Sequence, residues 1–137
     1  GEAGLAINYA HGDIAAMDIG SFDLVTSMEV IEHVTDPAAF LVALTQKLAP
    51  GGLMILSTPN RTAASKLLLV EAAERLGQVP RGTHHWDQFL TPEELDDIAG
   101  NCGLMRIDRR GIGFSVARGL TLSDNEALNY IAAYRYG

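Results

Sequence analysis

Glu29, Glu32 and His33 stand at i, i+3 and i+4 within Phe22-Asp-Leu-Val-Thr-Ser-Met-Glu-Val-Ile-Glu-His-Val34. If the chain turns helical after Ser27, a rotation of roughly 100° per residue projects all three from one face of about one turn. Two carboxylates and an imidazole gathered in this way have three uses. They form a solvated or capping helix start. They hold a hard divalent cation, Mg²⁺ in particular, with water completing an oxygen-rich shell. Or His33 or one of the glutamates acts as a general base without metal. A lone imidazole among oxygens does not make a structural zinc site. Phe22, Leu24 and Val25 form a short β-prone run introduced by Gly20 and Ser21, so the group falls at the carboxyl end of a strand. An open α/β sheet places its ligand crevice there.

Other chemistry-bearing residues are sparser. His84 and His85 precede Trp86 in a loop spanning 79–89, and read either as ordinary loop histidines or as a cover over a substrate. Cys102 is the single cysteine, so it forms no internal disulfide and fits a reducing compartment. With no charged run beside it, it reads as a small buried hydrophobe rather than a nucleophile.

The elements that must position these groups alternate between strand and helix. Leu5–Tyr9 reads as a strand closed by the turn His11-Gly-Asp-Ile14, and 22–27 as a second. Asp36 is the expected N-cap of a helix with Pro37 at its first position, running through Phe40, Leu41, Leu44 and Leu48 and stopping before Pro50-Gly-Gly52. Leu53–Leu56 is continuously apolar, as in a strand buried on both faces. A second helix is predicted over 63–77. A third starts at Thr91-Pro-Glu-Glu94, with Glu94 as capping-box partner, and runs to about Asn101. Leu104–Arg109 reads as a strand, 111–124 as a long connection, and 127–134 as a last strand. The expected class is therefore α/β, with a mostly parallel sheet and an antiparallel hairpin at the end.

Composition bounds the partners. A hydrophobic fraction of 47% against 20% charged residues argues for a globular domain, and 137 residues leave room for one core. A net charge of −7 lacks the basic footprint that nucleic acid requires. No apolar run reaches about 18 residues and no charged-then-apolar leader is seen, so the cytosol is the expected compartment. Gly1-Glu-Ala-Gly4 reads as a helix end, and the chain is expected to begin inside a domain.

These residues carry a resemblance. The 22–34 stretch resembles the fourth-strand motif of the class I S-adenosylmethionine-dependent methyltransferases. Leu48-Ala-Pro-Gly-Gly-Leu-Met-Ile-Leu-Ser-Thr58 is similar to their helix-to-fifth-strand motif, and Gly12-Asp13-Ile14 to their adenine turn. Ser57-Thr-Pro-Asn-Arg-Thr62, the leucine-rich segment after it, and Val79-Pro-Arg-Gly-Thr-His-His-Trp-Asp-Gln-Phe89 narrow the resemblance to the ubiquinone-biosynthesis O-methyltransferases. The resemblance implies a Rossmann-like sheet of strand order 3-2-1-4-5-7-6. It implies S-adenosylmethionine as cofactor, with Asp13, Ile14 and Met28 lining the adenosine pocket. Glu29 and His33 are the implied catalytic residues, and Glu29, Glu32 and His33 the implied Mg²⁺ ligands. The implied acceptor is a polyprenylated phenol or catechol of ubiquinone biosynthesis, with an assembly of pathway enzymes as partner. The implied use of 63–77 is peripheral contact at the inner face of the membrane.

The family's first strand, its glycine-rich loop and the acidic residue after its second strand have no counterpart here. Residues 1–137 therefore read as the carboxyl-terminal portion of one methyltransferase domain, inactive alone. The rival readings are a methyltransferase for another small acceptor and a non-catalytic scaffold subunit.

Overall fold

A computed structural model describes residues 4–62, 65, 66, 86–115 and 117–136, with the side chains of Trp86, Phe114 and Ser115 outside the description. In chain order the elements are β1 (Phe22–Met28), a 3-10 turn (Ile31–His33), α1 (Pro37–Thr45), β2 (Leu48–Pro59), a 3-10 turn (Trp86–Gln88), α2 (Pro92–Asn101), β3 (Leu104–Ser115), β4 (Gly119–Ser123) and β5 (Asn129–Tyr136). The sheet runs β1-β2-β5-β3-β4. Its first four members follow the 4-5-7-6 part of the implied order, with β4 added at the edge.

The helix ends obey local chemistry. Asp36 Oδ1 accepts from Ala39 N at 3.1 Å, and Pro37, lacking an N–H, opens α1. Thr91 and Glu94 exchange side-chain and backbone hydrogen bonds at 3.0 and 3.2 Å, completing the expected capping box of α2. Partial burial disfavours the Glu94 carboxylate, but the bonds from Thr91 and the charge of Arg61 outweigh it and hold Glu94 below its ordinary value.

Both helices pack on the same apolar cluster, which joins Leu41 and Leu44 of α1 and Leu95 and Ala99 of α2 to Met54, Leu56, Tyr130, Ala132 and Tyr134 of the sheet. Strand β5 alternates from Asn129 to Tyr134: Tyr130, Ala132 and Tyr134 are buried, while Asn129, Ile131 and Ala133 are half-exposed. The tyrosine hydroxyls find fixed acceptors. Tyr130 donates to Leu90 O at 2.9 Å, Tyr134 to Asp96 Oδ1 at 2.8 Å, and Tyr136 to Thr45 O at 3.0 Å. Burial pushes the Tyr130 and Tyr134 phenols above their ordinary value, so both stay neutral donors.

Three expectations are corrected. Residues 5–9 are not a strand and lie exposed, because among the described residues no strand flanks the outer edge of β1 to complete a ladder. The expected α/β class holds, with parallel and antiparallel strands in one sheet: among the described residues β1 and β2 pair parallel and the other three pairings are antiparallel. Helix α1 ends at Thr45 and β2 starts at Leu48, with Gly51 at φ +78° absorbing an irregularity opposite Phe22–Leu24. The connection expected over 111–124 is instead the continuation of β3 and its hairpin with β4. The predicted 63–77 helix lies outside the described residues except for Ser65 and Lys66. Among the described residues no helix is long and apolar enough to cross a membrane.

Gly111 looks like a breaker but is needed for close approach: a Cβ there would overlap the backbone carbonyl of Asn125. We expect Gly111→Ala to lower stability by about 1–3 kcal/mol, read as a reduced urea midpoint, whereas Gly100→Ala, with open space at its Cβ, leaves the midpoint level or higher.

Candidate functional site

The carboxyl ends of the parallel pair β1 and β2 lie side by side. Glu29 N extends their ladder by one bond, donating to Ser57 O at 2.9 Å and sharing Ser57 Oγ at 3.2 Å. Glu29 then turns into the left-handed region, φ +56°, where few non-glycine residues sit. That reversal ends the strand and precedes the short 3-10 turn Ile31–His33.

The reversal removes the premise of a shared helical face. Glu29 lies outside the turn, and the three candidate side chains go to different partners. Glu29 Oε1 accepts from Asn129 Nδ2. Glu32 is 3% exposed and accepts from Thr58 Oγ1 at 2.7 Å, tying the turn to β2. His33 Nε2 lies 3.6 Å from Glu32 Oε1, beyond hydrogen-bond reach and an ion pair only when the imidazole is protonated. Among the described residues no group of three or more His, Cys, Asp or Glu is placed to hold a metal ion. The expected Mg²⁺ set Glu29, Glu32 and His33 is therefore not assembled in this arrangement.

Two pockets open beside this turn. One, of about 510 Å³, gathers Asp13, Ile14, His33, Val34, Phe40 and Ala43. Asp13 Oδ1 accepts from Ala15 N at 3.0 Å and Asp13 O from Ala16 N at 2.9 Å, so the expected turn is present. Lys47 Nζ holds it to the end of α1 by donating to Met17 O at 2.6 Å. Asp36 is the second carboxylate of this lining, and its Oδ1 is engaged by Ala39 N; the apolar walls suit the faces of a purine and the polar groups its edge. The other pocket, of about 440 Å³, is lined by Met28, Glu29, Ile112, Leu120, Leu128 and Asn129. Asp13 and Ile14 are thus brought together, with His33 beside them, whereas Met28 lines the second pocket with Glu29. His84 and His85 fall outside the described residues. Cys102, expected to be buried, is half-buried and packs against the core.

Sequence reasoning missed Asn129 and underused Ser57, Thr58 and Asn60. Ser57 and Thr58 carried a signal, being polar residues that close an apolar strand; Asn129 carried none. The Asn60-Arg61-Thr62 segment proves to be a brace. Asn60 Nδ2 donates to Glu126 O at 2.9 Å, Asn60 N to Leu128 O at 2.7 Å, and Thr62 Oγ1 to Ala127 O at 2.5 Å. Arg61 meets Glu94 at 2.7 Å and Phe89 O at 3.3 Å. The loop preceding Asn129 is held in this way, and Arg109 pairs with Glu126 from the other side.

Desolvation, followed by the nearby Glu32 carboxylate, pushes Glu29 from 4.5 up to about 7, while the Asn129 bond works the other way. A raised folded-state value means that the folded form binds this proton more tightly. The stabilisation is full below about pH 4.5 and is lost as pH rises through about 7. We expect the stability of the native chain relative to Glu29→Gln to fall across this window in urea titrations. A flat difference would remove the shift.

A profile of the family described as "Methyltransferase domain" matches residues 7–107. The chain is similar to the ubiquinone biosynthesis O-methyltransferase of Cereibacter sphaeroides, with 42% identity over 96% of this chain and 56% of that protein. It is 41% identical to the protein of the same name from Ruegeria pomeroyi, over 96% of this chain and 55% of the relative. The chain thus spans little more than half the length of these relatives. Among solved structures, the magnesium protoporphyrin IX methyltransferase of Synechocystis PCC 6803, with bound SAH, superposes with a TM-score of 0.61 at 16% identity. The match covers 92% of this chain and 49% of that one. The mixed sheet, the two helices on one face and the profile match agree: the chain belongs to the methyltransferase domain family.

Proposed function

We propose that residues 1–137 are the carboxyl-terminal portion of an S-adenosylmethionine-dependent O-methyltransferase acting on a polyprenylated phenol or catechol of ubiquinone biosynthesis. The observation that carries this reading is the identity of about 40% over 96% of the chain to proteins named for that activity. The strand-end site lies within the matched span.

The cofactor fits the residues present: Asp13 and Ile14 would hold the adenine in the first pocket, and Met28, which lines the second, would pack on the adenosine. S-adenosylmethionine supplies a sulfonium-bound methyl, which a nucleophilic oxygen takes as the carbon–sulfur bond breaks and the electron pair stays on sulfur. The chain's own task is to remove the acceptor's proton and align its oxygen. Glu29, poised at about 7, is the group suited to take that proton near neutral pH. His33, half-exposed at the end of the 3-10 turn, is the second candidate. As placed, the donors do not fit a cation. Mg²⁺ would require Glu29 to leave Asn129 and Glu32 to leave Thr58, so no step is routed through it. Bilayer contact through 63–77 and membership of a pathway assembly belong to the same proposal, because a polyprenyl acceptor resides in the membrane.

Isothermal titration with S-adenosylhomocysteine, with and without Mg²⁺, tests the reading on this chain and on a hybrid joined behind the preceding residues of the Cereibacter sphaeroides relative. The hybrid is expected to bind and to methylate a prenylated catechol, with Glu29→Gln slowing turnover by roughly 10²-fold or more. A well-folded hybrid that binds no S-adenosylhomocysteine overturns the reading and favours a scaffold.

A further inference from the structure

Glu29 and Asn129 are separated by 100 residues and meet in the pocket lined by Met28, Ile112, Leu120 and Leu128. A carboxylate accepts only from the NH₂ side of a carboxamide, so Asn129 gives Nδ2 to Glu29 Oε1. Glu29 Oε2 and Asn129 Oδ1 then have no hydrogen-bond partner among the described residues. The polar residues lining the pocket are Glu29, Asn129 and Ser57, and Met28, Ile112, Leu120 and Leu128 supply an apolar wall.

The clamp has a firm footing. Asn129 opens β5 and is paired across the backbone with Pro59 of β2 and Ile112 of β3. The loop before it is braced by Asn60 and Thr62, and Glu29 is fixed by its bonds to Ser57. The wall is unusual for a free surface: Leu120 and Leu122, on the outer strand of the hairpin, are 76% and 65% exposed. Ile112 lies directly across the ladder from Leu122, so these side chains share one face and continue the pocket outward. One hydroxyl satisfies one acceptor; two hydroxyls on adjacent ring carbons satisfy both. An apolar substituent on the ring would cover the wall.

We propose that Asn129 is a specificity-determining residue: with Glu29 it forms a two-acceptor clamp that selects vicinal hydroxyls on an aromatic ring whose apolar substituent runs along Ile112, Leu120 and Leu128. The assignment rests on the methyl-acceptor reading above and adds which residue reads the second hydroxyl.

The test is binding of 4-nonylcatechol, 4-nonylphenol and nonylbenzene to the full chain, followed calorimetrically and by amide shifts. It needs no cofactor. The catechol is expected to bind up to roughly tenfold more tightly than the phenol, as one further hydrogen bond to the Asn129 carbonyl implies. Asn129→Ala removes that preference while nonylbenzene binding stays unchanged. Asn129→Asp, of the same size, removes it as well by replacing the donor that holds Glu29, so a fold defect peculiar to alanine does not decide the matter. In a Glu29→Gln background, Asn129→Ala adds less loss than it does alone, since the two act as one unit. Leu120→Asp weakens all three ligands alike. Equal affinity for catechol and phenol, or a preference that survives both Asn129 variants, overturns the proposal. A preserved preference in a chain whose hybrid fails to bind S-adenosylhomocysteine leaves the clamp standing and removes the methyltransferase reading.

Discussion

Strand β5 runs antiparallel to both of its neighbours, so every second residue of it is driven against the helical layer. Three of those inward or boundary positions are tyrosines, and each hydroxyl reaches a different piece of the helical side: the segment before α2, α2 itself and the end of α1. A buried aromatic ring removes roughly 150–250 Å² from water. Its hydroxyl, if left unpaired, would cost about 1–3 kcal/mol. The two requirements together fix both how deeply β5 sits and where the helices lie over it. The position of Asn129, at the head of the same strand, follows from that placement.

The site is built on the opposite principle. At the ends of β1 and β2 the chain gathers polar groups that are only partly compensated. Glu32 is buried and takes its hydrogen bond from Thr58, which makes it a strut of the turn. Glu29 stays near the surface, where incomplete solvation and then the Glu32 charge disfavour its ionised form. Two carboxylates three residues apart at one strand end have thus been sorted by environment into a structural and a reactive candidate. Neither the spacing of the residues nor their types reveals which is which.

Much of the fold was legible wherever local rules suffice. The starts of α1 and α2 are written in Asp36-Pro37 and Thr91-Pro92-Glu93-Glu94, and β1 and the core of β2 in their apolar runs. Legibility failed where a distant backbone decides. Gly111 and Gly113, between charged and apolar residues, suggest a connection until Asn125 is seen to need the space beside Gly111. Residues 5–9 alternate like a strand, yet alternation cannot supply a ladder partner. At the site, the i, i+3, i+4 reading assumed a helix that the positive φ of Glu29 forbids. The partners that matter, Thr58 to Glu32 and Asn129 to Glu29, lie 26 and 100 residues away and leave no local trace.

The central place of β5 also orders events in time. Both strands that flank it, and both helices it anchors, come earlier in the chain. Before β5 arrives, β1–β2 and β3–β4 are two separate ribbons with no shared ladder, each exposing an unpaired inner edge of the kind that invites wrong pairing. Joining them requires closure of long loops before any contact rewards it, which slows the rate-limiting step of folding. The residues that complete the clamp therefore come into register only when the whole sheet does, so a chain with a formed pocket is a chain that has finished folding.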